Sequence, residues 1–147
     1  LFSIILHTSN VREEEKKVRQ KALELLEFVG LQGKEDEMAA SLPYGDQRRV
    51  EVARALATEP KLLLLDEPAA GMNTQEKKDM QSLIKQIQTR GYTVLLIEHD
   101  MKLVMGICDR IAVLEYGNKI AEGLPQEIQR NDKVIKAYLG KGGTANA

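Results

Sequence analysis

The chain has 147 residues, enough for one domain with a hydrophobic core, and is 43% hydrophobic and 29% charged with a formal net charge of -1. That balance gives no general attraction to nucleic acid or to an anionic membrane surface, so no nucleic-acid partner is expected. The single cysteine, Cys108, excludes an internal disulfide and suits a reducing compartment. No apolar run approaches the ~20 residues that cross a bilayer as a helix. Residues 1–6 are apolar but lack the basic flank and small-residue cleavage site of a secretion signal. The first residue is Leu rather than Met, so a fragment is expected.

In chain order, residues 1–7 read as a strand or as the end of a helix. Asn10 followed by Glu13 has the capping-box offset and predicts a helix start. Residues 11–29 are helical in period, with Val18, Ala22, Leu25, Leu26 and Val29 on one stripe and the charged residues 13–17 and 19–21 in water. Gly30 ends this helix. Residues 31–40 are polar, a loop or a short helix. Ser41-Leu42-Pro43-Tyr44-Gly45-Asp46-Gln47 leads into a helix over 47–58, with Val50, Ala53, Leu56 and Ala57 as its buried stripe and Asp46 at the positive end of its dipole.

After Pro60, Leu62-Leu63-Leu64-Leu65 predicts a strand buried on both faces, as in parallel sheets. Asp66 and Glu67 stand at its carboxyl end, where open α/β sheets place their chemistry, and Pro68 stops it. Ala69-Ala70-Gly71-Met72 is a turn. Asn73 caps the next helix, with Glu76 again at the capping-box offset, Met80, Leu83, Ile84 and Ile87 inward, and Gly91 at the end. Residues 93–97 form another buried strand, closed by Glu98-His99-Asp100. A short helix over 101–106, a third strand over 111–114, a turn at Tyr116-Gly117-Asn118 and a short strand over 119–121 follow. Gly123, Leu124 and Pro125 open a tail with two short helices that ends near Leu139, and residues 142–147 are expected to fray. Strands alternating with helices imply crossovers and a parallel sheet, an α/β fold.

Three features stand in order: residues 42–47 opening a helix of small residues, the Asp66-Glu67 pair about 20 positions on, and His99 after the next strand. Nearly the whole chain resembles the ATP-binding subunits of ABC transporters. Leu42-Pro43-Tyr44-Gly45-Asp46-Gln47-Arg48 is similar to that family's signature motif, continued by Ala53-Arg54-Ala55-Leu56. Leu62 to Glu67 resembles Walker B, Ala70-Gly71-Met72-Asn73 the D-loop, and His99 the H-loop. The Pro-Tyr-Gly signature, the Glu-Pro-Ala-Ala-Gly turn and Ala137-Tyr138-Leu139-Gly140 resemble the branched-chain amino acid importers. The ATPases of lipopolysaccharide export are the alternative.

The resemblance implies a P-loop NTPase sheet with a helical subdomain: residues 1–60 with the signature helix, 61–123 with Walker B and the H-loop, and 124–147 as tail helices. It implies ATP and Mg²⁺, with Asp66 on the metal, Glu67 as general base toward water, and His99 toward the γ-phosphate. Pro43, Tyr44, Gly45, Asp46 and Gln47 would read a γ-phosphate held by a second ATP-binding subunit, at a helix N-terminus that favours an anion. Asn73 would lie in the D-loop contact with that subunit. Integral-membrane permease subunits are the other implied partners, with a cytoplasmic location on the inner face of the membrane. The commoner signature has Ser and Gly where Pro43 and Tyr44 stand, so phosphate contact would rest on Gly45 and later amides. Asp46 replaces the usual Gln and brings a negative charge to the phosphate, and Asn73 replaces the common D-loop Asp.

The 147 residues contain no Gly-x-x-x-x-Gly-Lys-Ser/Thr, so the Walker A loop and its strand are lacking, as is the glutamine loop. Negligible ATP binding by this chain alone is expected. In the family that strand lies between those matching 93–97 and 111–114. Three repairs are therefore expected for the gap: direct pairing of those strands, insertion of residues 1–6, or pairing with another chain. A non-catalytic docking or oligomerising fragment is the second functional reading. A DNA-repair type of ABC ATPase is the third, opposed by the lack of a sustained heptad run.

Overall fold

A computed structural model of the protein describes residues 9–139, with side chains from 11 to 138. The readings made for residues 1–7, for the side chain of Asn10 and for residues 140–147 lie outside them. The chain divides into two units, one ending at Ile97 and one starting at Glu98.

The first unit opens with α1, Ser9–Phe28. Asn10 is therefore inside the first turn rather than before it. The Glu13–Lys17 pair at 3.2 Å joins successive turns on its wet side. At its end the Gly30 N–H donates to Glu27 O and the Leu31 N–H to Leu26 O, the paired bonds of a Schellman finish. Only the last part of the expected stripe is covered: Val29 is buried and Leu25 and Leu26 are half-buried, whereas Val18 and Ala22 are exposed. These two lie with Val11, Glu14, Glu15 and Arg19 on one face of the helix. A single 3-10 turn, Ala39–Ser41, interrupts the loop that follows.

Helix α2, Tyr44–Ala57, begins three residues earlier than its pattern suggests. Pro43 is its cap and carbonyl acceptor, taking the N–H groups of Asp46 at 2.9 Å and Gln47 at 3.0 Å. The start is reinforced by Gln47 Nε2, which donates to Leu42 O at 2.8 Å. Its buried residues are Gly45, Val52, Ala53 and Leu56; Val50 is half-buried and Ala57 exposed, a stripe rotated from the expected one. Helix α1 packs against α2, and Gly45 lies against Glu76.

Strand β1, Leu62–Asp66, crosses over through α3, Thr74–Thr89, to β2, Thr93–Ile97, and pairs with it in parallel from Leu62 opposite Thr93 to Asp66 opposite Ile97. Helix α3 buries Met80, Leu83, Ile84 and Ile87, as its period predicts, and it ends at Gly91 with a second Schellman pair. The expectation of strands buried on both faces is corrected. Along β1 only Leu63 and Leu65 are buried, and β2 has no fully buried residue. Leu62, Leu64, Leu95 and Ile97 stand 47–64% exposed on one sheet face, because one helix layer covers one face.

The second unit begins with α4, Met101–Ile107, capped by Asp100, whose side chain accepts from Lys102 N and Leu103 N. Strands β3, Ile111–Glu115, and β4, Asn118–Gly123, follow, then α5, Pro125–Gln129, α6, Asp132–Val134, and a π-helical turn, Ile135–Leu139. The third strand and the returning strand after it pair with each other, as the turn between them suggests. Strand β3 pairs antiparallel with β4 and, among the described residues, β2 pairs with β1 alone. Direct pairing of the strands flanking the expected gap is thus not what the described residues do. Tyr116 (φ 47°) and Gly117 (φ 78°) make a two-residue turn of the primed type that joins β3 to β4. Val104, Ile111, Val113, Ile128 and Val134 form the buried core of this unit. The hydroxyl of Tyr138 donates to Leu114 O, beside the bulge at Val113/Leu114, and ties the tail to the hairpin.

Candidate functional site

At the carboxyl end of β1, Asp66 and Glu67 are both exposed. The Glu67 N–H extends the ladder by donating to Ile97 O at 2.9 Å. Its carbonyl then accepts from Ala70 N at 3.1 Å, closing a turn with Pro68 in the second position. Glu67 itself sits at φ 43°, in the left-handed region, directly before a proline. That region costs a non-glycine residue about 1–2 kcal/mol, and a following proline disfavours helical backbone further. Two other non-glycine residues share a positive φ, each with a local reason. Glu59 is the C′ residue of α2, its N–H on Leu56 O, and Tyr116 belongs to the hairpin turn. A turn makes no such demand on its first residue, so among the described residues Glu67 alone carries backbone strain that its secondary structure does not explain.

The turn continues through Gly71 to Asn73. The Asn73 side chain accepts from Gln75 N and Glu76 N, each at 2.9 Å, and Glu76 Oε2 accepts from Asn73 N at 2.8 Å, so the predicted capping box is formed. The start of α2 meets this turn in two places. A Cβ on Gly45 would lie 3.2 Å from Glu76 Oε1, and one on Gly71 (φ 74°) 3.3 Å from the Tyr44 ring. Glycine at both positions lets the two helix starts approach, and Gly71 also supplies the positive φ. Tyr44 and Gly45 are thereby brought against Gly71 and Glu76, next to Asn73. Pro43 and Tyr44 are exposed, Asp46 and Gln47 half-buried.

The amides of Asp46 and Gln47 are engaged by Pro43 O, so the N–H groups ahead of the first helical bond are those of Tyr44 and Gly45. Asp46 does not present a bare charge: Lys34 Nζ lies 2.6 Å from its Oδ2, and that bond raises the Lys34 ammonium pKa above its usual value. Arg49 fastens the surroundings, donating to Val29 O at 3.2 Å and lying 3.4 Å from Asp79 Oδ2. Lys34 and Glu76 were missed as members of this neighbourhood. The capping offset marks Glu76 as a cap but is silent about Gly45, and nothing in the sequence ties Lys34 to Asp46. His99 belongs to the second unit, exposed, with its N–H donating to Glu98 Oε2 at 3.3 Å.

Among the described residues no three His, Cys, Asp or Glu side chains are grouped as a metal cage. A lone exposed carboxylate such as Asp66 suits Mg²⁺, which keeps several waters and takes further oxygens from substrate phosphates. No described helix is long and apolar enough to cross a membrane.

Taken together, the parallel β1–α3–β2 crossover is an α/β unit with acids at its carboxyl end, where open α/β sheets place their ligands. Family profiles agree: one described as ABC transporter matches residues 3–70, and one described as branched-chain amino acid ATP-binding cassette transporter matches residues 118–144. The chain is 48% identical, over 96% of its length and 56% of the relative's, to the high-affinity branched-chain amino acid transport ATP-binding protein LivG of Salmonella typhimurium. It is 46% identical over 93% of its length to BraF of Pseudomonas aeruginosa, covering 54% of that protein. The lipopolysaccharide export ATP-binding protein LptB of Escherichia coli is less similar, at 35% over 96% of this chain and 58% of that protein. Among solved structures, MJ1267, an ATP-binding cassette of an ABC transporter in its ADP conformation, superposes with a TM-score of 0.77 at 33% identity, over 84% of this chain and 50% of that one. The chain belongs to the ATP-binding cassette family of ABC transporters and spans little more than half the length of the curated relatives it matches.

Proposed function

We propose that this chain is the C-terminal part of the ATP-hydrolysing subunit of an ABC transporter of the branched-chain amino acid import type. One observation carries the catalytic assignment: Glu67 is held in a strained backbone conformation at the end of the parallel crossover, with no turn that requires it. Strain of that kind persists where a side chain has to be aimed.

In this reading Glu67 accepts the proton of the attacking water as general base. His99 hydrogen-bonds at the γ-phosphate and helps to orient that water. Asp66 holds Mg²⁺, which supplies charge neutralisation on the phosphate oxygens when bound. Tyr44 and Gly45 offer amides, and Gln47 and Pro43 fix the helix start that presents them, toward the nucleotide of a second ATP-binding subunit. Asn73 lines the D-loop contact with that subunit. Integral-membrane permease subunits complete the assembly on the cytoplasmic face of the membrane.

The test uses the protein as its gene encodes it. Glu67→Gln should lower ATP hydrolysis about 10²–10⁴-fold while nucleotide binding persists. Hydrolysis that is unchanged by the substitution removes Glu67 from the mechanism. The 147-residue chain by itself should give no binding heat with micromolar Mg-ATP in a calorimeter, since it has no phosphate-loop motif.

A further inference from the structure

The first turn of α2 contains a contradiction. A helix start that is to face a phosphate carries an aspartate, Asp46, two residues past its first amide. An uncompensated carboxylate there would repel the phosphate and occupy the favourable end of the helix dipole itself. The structure places a cation on it. Lys34 Nζ is 2.6 Å from Asp46 Oδ2, and the side chains are only 34% and 22% exposed, so water screens the pair incompletely.

Lys34 is not a swinging surface lysine that happens to touch an acid. Its backbone is fixed on both sides: its N–H donates to Leu31 O and its carbonyl accepts from Glu37 N, each at 3.2 Å. The preceding Gly33 N–H donates to Glu35 Oε1 at 2.9 Å. The turn delivers the ammonium to α2 before any ligand arrives.

We infer that Lys34 is a positioning residue for nucleotide recognition: by holding and neutralising Asp46 it lets the Tyr44–Gly45 start of α2 accept a terminal phosphate. The inference rests on the function proposed above and adds to it a residue outside every motif. It differs from a plain tether between loop and helix, because its work is done by charge. A tether is lost whichever partner is removed, and removing the second partner cannot restore it. A charge defect is cured by deleting the charge that causes it.

The experiment measures KM and kcat for Mg-ATP in the gene-encoded protein. Lys34→Gln should raise KM about tenfold, the scale of one charged hydrogen bond, with a smaller change in kcat. Lys34→Arg should keep the wild-type KM. Asp46→Asn should lower KM, since Lys34 is then a free cation beside the phosphate, and the double variant should fall back from the Lys34→Gln value toward wild type. Raising the ionic strength from about 0.05 to about 0.5 M should shrink the Lys34→Gln defect by screening Asp46. A double variant as impaired as Lys34→Gln, or a defect indifferent to salt, overturns the inference in favour of a tether. An active wild type with an indifferent Lys34→Gln overturns this inference alone, whereas an inactive wild type overturns the proposed function and this inference with it.

Discussion

The first unit leaves a layer open and the second closes on itself. In the first, β1 and β2 run parallel, a helix lies between them in sequence, and four large apolar side chains of the sheet face water. In the second, β3 and β4 run antiparallel, a two-residue turn joins them, and five buried residues make a small core of their own. The difference follows from strand direction. A parallel pair needs a crossover, and such sheets are stable with both faces covered. An antiparallel hairpin tolerates one wet face, so a short piece of chain can finish it.

The largest test of this contrast lies in the open unit. Ile87 of α3 is fully buried, and Ile87→Ala should cost about 2–5 kcal/mol of unfolding free energy in urea titrations followed by circular dichroism. Leu64 has the same apolar character but is 64% exposed, and Leu64→Thr should change stability by less than about 0.5 kcal/mol. Equal costs at the two positions would break the comparison by showing that the Leu64 face is covered in solution.

A smaller effect sharpens the closed unit. A Cβ on Gly117 would have no atom within 4 Å, so the positive φ is what opposes a side chain there. Gly117→Val should cost about 1–2 kcal/mol and speed amide exchange in β3 and β4. No loss would mean that the hairpin does not depend on its turn.

The smallest effect is electrostatic. Glu122 accepts from Lys119 and Arg110, and both hold its carboxyl pKa below the usual value. A depressed carboxyl pKa contributes stability above the unfolded value near 4.5 and loses it as pH falls through the folded value. Melting temperature should therefore decline on acidification below that point, and Glu122→Gln should flatten part of the decline. The group is exposed, so the effect is slight and shrinks with salt. A Glu122→Gln profile identical to wild type would remove the ion pairs from the account.

What could be read from the sequence was what short-range chemistry determines. Asn73 and Glu76 form their box because the bonds span three residues, and the inward face of α3 follows from its period. The Gly30 and Gly91 finishes are local in the same way. Four consecutive leucines, by contrast, say that a strand is apolar but not how many of its faces are covered, which is why Leu62 and Leu64 stand in water. The β3–β4 hairpin was legible too, because Tyr116-Gly117-Asn118 is a turn after which the chain returns as a strand. For the candidate site, the positions of Asp66 and Glu67 at the end of β1 were legible. The φ of Glu67 and the bond from Lys34 to Asp46 were not. The first is a backbone conformation that no residue pattern marks, and the second joins residues twelve positions apart.

The naked leucines of β1 and β2 have a further consequence for how the chain behaves in a test tube. Attraction between apolar surfaces strengthens as water warms. Solutions of this chain should therefore scatter light increasingly on gentle heating, while circular dichroism still reports folded helix, and should clear again on ice. The clouding would be a property of the native fold and not a sign of its melting.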